Sequence, residues 1–269
     1  MKKAILLLAL LTCIVATGYS QSKATLSEEL YINGLNDTIY VVTHNFPWPS
    51  NSLVVNCGKE VVLIDTPYEP LATEQLVNWI KENLSPNKIT AINTGFHIDN
   101  LGGNEVLRSM GIDIYGADLT VELVKSRSES TRKQTLEWLT APSLKRFYDT
   151  YQSLVFVEPN ITYPIKKGLK LNVGGVDLEV YYPGESHSPD NVVVYIPRSG
   201  VLFGGCMIKS ADSKNLGFTG DANINEWPLS VKKVKERFPN AAVVIPHHGL
   251  LGGKELIDHT LKLLQQPKP

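Results

Sequence analysis

The stretch Thr94-Gly95-Phe96-His97-Ile98-Asp99 follows the run Lys88–Asn93, which has the composition of a buried β-strand. A strand that leads into a His-x-Asp turn places an imidazole and a carboxylate on one side of a tight loop. The next residues, Asn100-Leu101-Gly102-Gly103-Asn104, contain paired glycines, which allow close backbone approach where a helix begins. This strand, loop and helix predict an α/β fold with polar side chains gathered at a strand end.

Outside this unit, extended segments come in two batches, and helical spacing follows each batch. The predicted strands are Leu30–Ile39, Tyr40–His44, Ser52–Asn56, Glu60–Asp65, Lys88–Asn93, the alternating segment Leu171–Pro197, and Ala241–Ile245. The predicted helices are Leu71–Leu84, a helix through Glu105 to Met110, Thr120–Leu139, Leu144–Gln152, Glu226–Phe238 and Lys254–Gln265. No Pro- or Ser-rich linker separates the batches. We therefore predict a single α/β domain, an αβ/βα sandwich in which helices cover the outer faces of two packed sheets.

The first residues predict an exported protein. Lys2 and Lys3 precede an apolar run from Ala4 to Ala16, which is the pattern of a secretory signal peptide and too short for a membrane span of about 20 residues. We predict cleavage after Ser20, so that residues 1–20 are the signal peptide and residues 21–269 form a single mature domain in the periplasm. The alternative is a lipoprotein anchored through Cys13.

Charge and cysteine content narrow the possible partners. The chain has a net charge of −1, and loss of two lysines with residues 1–20 gives about −3. The sequence has no basic block that would predict binding to nucleic acid. We expect a monomer that acts on a small molecule. Cys57 lies in an apolar run and is predicted to be a buried structural thiol. Cys206 is predicted to be a metal thiolate, with a Cys57–Cys206 disulfide as the alternative.

Five candidate metal ligands follow strands in a defined order along the chain. They are His97, Asp99, His187, Cys206 and His248. Each is ambiguous alone, because a single buried histidine or cysteine is more often structural. Together, nitrogen, oxygen and sulfur ligands on separate segments are what a zinc site with open positions requires.

In these residues the chain resembles the class B metallo-β-lactamases, in particular the secreted subclass that typically holds two zinc ions. The resemblance runs from about Leu30 to Leu264. The stretch Leu202-Phe203-Gly204-Gly205-Cys206-Met207-Ile208-Lys209-Ser210 contains Gly-Gly-Cys-x-x-Lys, which is highly specific for that subclass. Further matching stretches are Leu63-Ile64-Asp65-Thr66-Pro67, Pro189-Asp190-Asn191-Val192-Val193-Val194-Tyr195, Gly220-Asp221-Ala222-Asn223 and His259-Thr260-Leu261.

The resemblance implies hydrolysis of the amide bond of β-lactam antibiotics by a zinc-bound hydroxide. It places His97 and His187 at a first zinc ion, and Asp99, Cys206 and His248 at a second. His97 and Asp99 are the implied catalytic residues, with Asp99 orienting the nucleophile. Two zinc ions are expected, with one ion as the alternative.

The resemblance also implies roles for residues around the metal. Lys209 matches the residue that binds the β-lactam carboxylate, and Asp65 matches a carboxylate that orients ligands. Trp48, in Phe46-Pro47-Trp48-Pro49, matches a short form of the flexible loop over the site. It is expected to cover an apolar face of the substrate, with a packed core tryptophan as the alternative.

Three residues depart from the family pattern. Gly95 replaces the first histidine of the His-x-His-x-Asp motif, so the first zinc site has lost a ligand. His247 replaces the Gly or Ser that usually precedes the last ligand, His248. Phe218 stands where the family usually has an Asn near the substrate carbonyl; loss of such a donor can cost about 10²-fold when it is fully engaged.

Three outcomes of the change at Gly95 are open at this point. The first zinc binds weakly and the enzyme works with one zinc ion, or His247 supplies the missing nitrogen, or the protein binds zinc without lactamase activity. For His247 itself, the alternative to a ligand is a side chain that points to solvent.

Two other function classes compete with a β-lactamase. A lactonase or thioesterase of the same fold usually has histidine after the motif aspartate, where this chain has Asn100. A secreted zinc-binding protein without catalytic activity is the rival from another class.

Overall fold

The computed structural model describes residues 23–266. The predicted signal peptide, its cleavage site after Ser20 and the alternative anchor Cys13 lie outside the described residues. Two β-sheets run through the described chain, and each follows from alternating apolar residues. No helix among residues 23–266 is long and apolar enough to cross a membrane.

The first sheet has eight strands in sequence order, antiparallel from β1 to β5 and parallel from β5 to β8. Its strands are β1 Lys23–Thr25, β2 Leu30–Gly34, β3 Ile39–Asn45, β4 Pro49–Asn56, β5 Glu60–Ile64, β6 Lys88–Ile92, β7 Asp113–Ala117 and β8 Ile161–Tyr163.

The second sheet has five strands in the order β13-β12-β11-β10-β9, and β12 and β13 run parallel. Its strands are β9 Leu169–Val173, β10 Val176–Tyr181, β11 Val193–Ile196, β12 Val201–Gly205 and β13 Val243–Pro246. The helices are α1 Pro70–Leu84, α2 Ile98–Leu101, α3 Asn104–Ser109, α4 Asp118–Trp138, α5 Lys145–Ser153, α6 Trp227–Arg237 and α7 Glu255–Leu264, with short 3₁₀ helices at Pro142–Leu144 and Ile165–Lys167.

The apolar residues of β5 explain how the layers stack. Val62 and Ile64 face the second sheet, whereas Val61 and Leu63 pack with residues of α1 and α3. All four side chains are fully buried, and burial of each contributes about 1.5–3 kcal/mol. A strand buried on both faces must lie inside a layered structure.

The second sheet repeats this arrangement. Val201 and Phe203 of β12 pack between the sheets, and Leu202 packs on the other face with the cluster that includes residues of α6 and α7. The order of layers is therefore helix, sheet, sheet, helix, and the predicted αβ/βα sandwich is confirmed.

One predicted strand is wrong. The segment Leu30–Ile39 is interrupted by a turn, because the Asn36 side-chain oxygen accepts hydrogen bonds from the backbone N–H groups of Thr38 and Ile39, both at 2.9 Å. Such side-chain contacts to the local backbone compete with sheet pairing. The strand β7, Asp113–Ala117, lies in a segment without a predicted strand.

Buried asparagines hold the chain that follows β6. The Asn104 amide donates to Asn93 Oδ1 and to the Val157 carbonyl, both at 2.8 Å. Asn93 in turn donates to the Asn100 carbonyl at 2.9 Å. Because Asn93, Asn100 and Asn104 are fully buried, these bonds fix the loop that carries His97 and Asp99.

We expect the substitution Asn104→Ala to lower the free energy of unfolding by about 2–3 kcal/mol, because the buried amide of Asn93 and the Val157 carbonyl lose their partner. Urea unfolding measures this as a lower midpoint with an unchanged slope. The exposed Asn83→Ala provides the control and should stay within about 0.5 kcal/mol of wild type. Equal midpoints for both variants would contradict the role of Asn104.

Candidate metal centre

Three strand ends meet at the carboxylate of Asp99. Its Oδ2 lies 3.6 Å from Cys206 Sγ, 3.1 Å from His247 Nδ1 and 2.9 Å from His248 Nε2. The four residues bring one ligand atom each within 4.8 Å of one another. Asp99, Cys206 and His247 are buried, whereas the side chain of His248 is 37% exposed. Three residues of the cluster are thus buried, and His248 lies where the cluster opens to solvent.

The turn after β13 is held by β4 and β12. The Asn51 backbone N–H donates to the His247 carbonyl at 2.7 Å, and its side-chain amide donates to the carbonyls of Pro246 and Gly249, both at 2.9 Å. The His247 N–H donates to the Gly205 carbonyl at 3.0 Å. Gly249 has φ 89°, a conformation that favours glycine. These contacts fix both adjacent histidines.

The chain after Cys206 is anchored on the outer helices. Trp227 Nε1 donates to the Met207 carbonyl at 2.9 Å, and the Lys209 backbone N–H donates to Thr260 Oγ1 at 2.8 Å. Gly205, with φ 54°, turns the backbone out of β12 just before the thiol. The Gly-Gly-Cys-x-x-Lys stretch therefore positions both Cys206 and Lys209.

Both adjacent histidines have the orientation of metal ligands. His248 Nδ1 lies 2.8 Å from the Pro49 carbonyl, which can only accept a hydrogen bond. Its Nδ1 therefore carries the proton and Nε2 faces Asp99. His247 directs Nδ1 to Asp99, and its Nε2 lies 3.4 Å from the Asp65 carboxylate. A carbonyl or carboxylate on the second nitrogen is the usual support of a ligating histidine.

The charges of the cluster favour ionised ligands. Burial alone would raise the pKa of Asp99, but the charge and hydrogen bonds of His247 and His248 hold that pKa well below its usual range. Burial and Asp99 raise the pKa of the Cys206 thiol, and the two histidines outweigh both and lower it. A carboxylate and a thiolate are the forms in which these residues bind metal.

Asp65 lies behind the cluster at the end of β5. Its carboxylate accepts hydrogen bonds from the Thr94 N–H at 2.7 Å, from Thr94 Oγ1 at 2.6 Å and from Asn100 Nδ2 at 3.0 Å. Asp65 is fully buried and has φ 57°, which is an uncommon conformation for a residue other than glycine. It supports the loop of His97 and Asp99 and, through the 3.4 Å contact, His247.

His97 and His187 form a separate pair. Their ring centroids are 5.1 Å apart. His97 Nε2 lies 2.9 Å from Asp221 Oδ2, and Arg127 holds the other oxygen of Asp221, also at 2.9 Å. His187 Nδ1 is buried and makes no hydrogen bond among the described residues. Burial, followed by the charge of Lys209, lowers the pKa of His187, which keeps its imidazole neutral.

The space beside Gly95 is occupied by side-chain amides. A Cβ atom at Gly95 would lie 2.8 Å from Asn191 Nδ2 and 3.3 Å from Asn100 Oδ1. The Ser188 N–H donates to Asn191 Oδ1 at 2.9 Å and fixes that amide. Within residues 23–266, no group of three His, Cys, Asp or Glu residues with ligand atoms within 4.8 Å of one another includes this pair.

The alternative in which His247 points to solvent is wrong, because its side chain is fully buried. His247 joins the group of Asp99, Cys206 and His248 rather than the His97–His187 pair. Cys57 and Cys206 are both buried and free, so the alternative of a disulfide between them is also wrong.

A cavity of about 740 Å³ opens over both groups. Three aromatic side chains form one wall: Trp48 lies 5.9 Å from Trp138, and Trp138 lies 5.2 Å from Phe218, between ring centroids. Trp48 is 40% exposed, so the alternative of a core tryptophan is wrong. Lys209 also lines the cavity, and its Nζ lies 5.3 Å from the centre of the Trp227 ring.

Sequence reasoning missed Asp221, Arg127 and Trp138. Asp221 lies in a stretch that matches the family, but nothing in the sequence pairs it with His97. Arg127 and Trp138 belong to α4, whose position over the cavity depends on tertiary contacts. One such contact is the hydrogen bond from Thr120 Oγ1 to Asp190 at 2.8 Å.

A second group with metal-ligand residues is better explained as an ion pair. Glu29, His44 and Glu69 also bring ligand atoms within 4.8 Å of one another. Arg146 lies 2.6 Å from Glu29 and 3.7 Å from Glu69, which compensates their charge. Burial, followed by the charge of Arg146, lowers the pKa of His44 to about 3.

Comparison with known proteins assigns the family. Residues 45–248 match the model of the metallo-beta-lactamase superfamily. A metallo-beta-lactamase type 2 of Bacteroides fragilis is 31% identical over 253 residues, which are 92% of this chain and 90% of that protein. One of Bacillus cereus is 33% identical over 217 residues, which are 81% and 73% of the two chains.

Solved structures agree with this assignment. A metallo-beta-lactamase from Pontibacter korlensis has a TM-score of 0.76 and 34% identity, covering 89% of this chain and all 100% of that one. A metallo-beta-lactamase from Erythrobacter litoralis has a TM-score of 0.70 and 26% identity, covering 91% and 99%. The sandwich, the ligand cluster at its strand ends and these likenesses agree: this chain belongs to the metallo-β-lactamase superfamily.

Proposed function

We propose that this protein is a hydrolase that opens the amide bond of β-lactam antibiotics with the help of zinc. The observation that carries the proposal is the convergence of Cys206, His247 and His248 on one oxygen of Asp99, at the floor of a cavity that Lys209 also lines. The relatives from Bacteroides fragilis and Pontibacter korlensis named above are metallo-beta-lactamases, and each matches nearly all of this chain.

The donor set fits zinc. Thiolate, imidazole and carboxylate are the ligands that Zn²⁺ takes in proteins. His247 is fully buried, and its Nδ1 lies 3.1 Å from Asp99 Oδ2, as expected of a side chain oriented toward a metal ion. When bound, zinc lowers the pKa of a coordinated water toward about 7 and polarises the lactam carbonyl.

The side chains of the protein orient the attacking water and exclude bulk water from the site. The ionised Asp99 accepts hydrogen bonds and can orient the attacking water. His97 is held by Asp221 at Nε2, so its other edge faces the cavity near His187. The burial of Asp99, His97 and His187 limits the access of bulk water to the reacting bond and strengthens electrostatic interactions.

Lys209 and the aromatic wall account for substrate binding. β-Lactam antibiotics carry a carboxylate beside the ring, and Lys209 places a cation at the cavity surface. Because the Lys209 side chain is 7% exposed, its attraction for an anion is only weakly screened by water. The ring faces of Trp48, Trp138 and Phe218 suit the apolar substituents of such a substrate.

The rival fold relatives are disfavoured by Asn100. Lactonases and thioesterases of this fold usually use a histidine at this position, and the Asn100 amide here donates to Asp65 and Thr94 instead.

We further propose export through the predicted signal peptide, residence in the periplasm and action as a monomer. Mass spectrometry of the secreted chain would test cleavage after Ser20.

Removal of metal should abolish the reaction. We expect the purified protein to hydrolyse a chromogenic cephalosporin, and a chelator to remove that activity because the nucleophile is generated at the metal centre. Absorbance of the opened ring is the measurement, and addition of Zn²⁺ should restore the rate. Zinc-loaded protein without turnover of penicillins, cephalosporins or carbapenems would refute the proposed function.

Lys209→Ala should raise KM about 10- to 100-fold and change kcat much less. A charged hydrogen bond contributes about 1.5–3 kcal/mol, and 1.4 kcal/mol corresponds to tenfold in affinity. Steady-state kinetics with one cephalosporin separates the two constants. Lys209→Arg should retain most of the affinity, and the exposed Lys232→Ala serves as the control. A wild-type KM in Lys209→Ala would exclude the carboxylate contact.

A further inference from the structure

We propose that His247 is a fourth protein ligand of the metal held by Asp99, Cys206 and His248, and that this chain therefore binds one zinc ion tightly rather than two. The inference deepens the proposed zinc-dependent function and rests on it. It assigns to His247 a different role from replacement of the ligand lost at Gly95.

The distances from Asp99 are close to those of one tetrahedral site, and the two to histidine are a few tenths of an ångström shorter. In such a site, ligand atoms about 2.0–2.3 Å from zinc lie about 3.3–3.6 Å from one another. The distances from Asp99 Oδ2 are 2.9 Å to His248, 3.1 Å to His247 and 3.6 Å to Cys206. The longest distance belongs to sulfur, which also forms the longest bond to zinc.

The environment of His247 supports a ligand rather than a packing residue. Its side chain is fully buried, and its Nδ1 lies 3.1 Å from Asp99 Oδ2. Nδ1 faces the three other ligands, and Nε2 lies 3.4 Å from Asp65, the arrangement that second-layer carboxylates give to ligating histidines.

The backbone makes this orientation a fixed one. The His247 N–H and carbonyl bond to Gly205 and to Asn51, so the turn cannot rotate without breaking contacts to two strands. The Phe203 ring also contacts His247, with centroids 6.0 Å apart. Nothing in this arrangement directs His247 toward His97 and His187.

The remaining pair is a poor site for a second ion. Gly95 offers no ligand, and the Asn191 amide occupies the adjacent space. The Phe218 ring centroid lies 6.0 Å from that of His97 and 6.3 Å from that of His187, which covers the pair with an apolar group. Two imidazoles are one ligand short of the three that catalytic zinc sites use.

The test compares wild type, His247→Gly and a control histidine variant, His259→Asn, as mature proteins without any β-lactam. Each is dialysed, and bound zinc is measured by elemental analysis and by competition with a coloured chelator. We expect about one zinc per chain in wild type and His259→Asn. Loss of His247 should weaken zinc binding at least about tenfold, since even partners outside the coordination sphere contribute about 10- to 100-fold.

Cobalt substitution measures the coordination itself. With one equivalent of Co²⁺, wild type should show the intense visible bands of four-coordinate cobalt and the sulfur-to-cobalt charge-transfer band of Cys206. His247→Gly should keep the sulfur band, and its visible bands should shift because water replaces the imidazole. Because the wild-type titration and spectrum stand alone, the inference stays testable if the variant does not fold.

Two results would overturn the inference: two tightly bound zinc ions in wild type, or an unchanged zinc affinity and cobalt spectrum in His247→Gly. Neither depends on turnover. Tight binding of one zinc with no hydrolysis would refute the proposed function and leave the four-ligand centre intact. Hydrolysis with two zinc ions would do the reverse.

Discussion

The buried carboxylate of Asp65 is the contact on which the site depends. It ends β5 in a left-handed conformation, with φ 57°, and its oxygens accept three hydrogen bonds from Thr94 and Asn100. A buried charge without such partners would be costly, and three donors make it tolerable. Because Thr94 and Asn100 bracket the loop of His97 and Asp99, the same carboxylate sets the positions of both.

Asp65 also connects the two departures from the family pattern. On one side, Asn100 reaches both Asp65 and the space beside Gly95. On the other, Asp65 lies 3.4 Å from His247. Gly95 and His247 are therefore both connected to Asp65, Gly95 through the Asn100 side chain and His247 directly.

The sequence predicted the layers because β-strand burial has a simple period. Val61 to Ile64 alternate between two apolar neighbourhoods, and that alternation is readable without a structure. The ligand residues were also accessible, since each follows a strand and resembles a family motif. The turn at Asn36 was not, because a local side-chain hydrogen bond outweighed apolar periodicity there.

Contacts between distant segments were the least accessible part of the site. Trp138 contacts Trp48 because α4 packs over the cavity. Asp221 contacts His97, although the two residues are 124 positions apart in the sequence. The position of the His247 side chain was difficult to predict for the same reason. The neighbouring His248 identified this segment as part of the site. It did not indicate the direction of the His247 ring, which the contacts of Asn51 and Gly205 determine.

A four-ligand centre changes the balance between binding and catalysis. Zinc with four protein ligands has no open tetrahedral position, so a reactant must enter as a fifth ligand or displace one. Meanwhile Lys209 and the aromatic wall contact parts of the substrate that do not react. Contacts of that kind stabilise the bound substrate and the transition state alike, so they lower KM without raising kcat. If His247 completes the centre, tight substrate binding with slow turnover is the expected consequence, because His247 then occupies the position that a reactant would need.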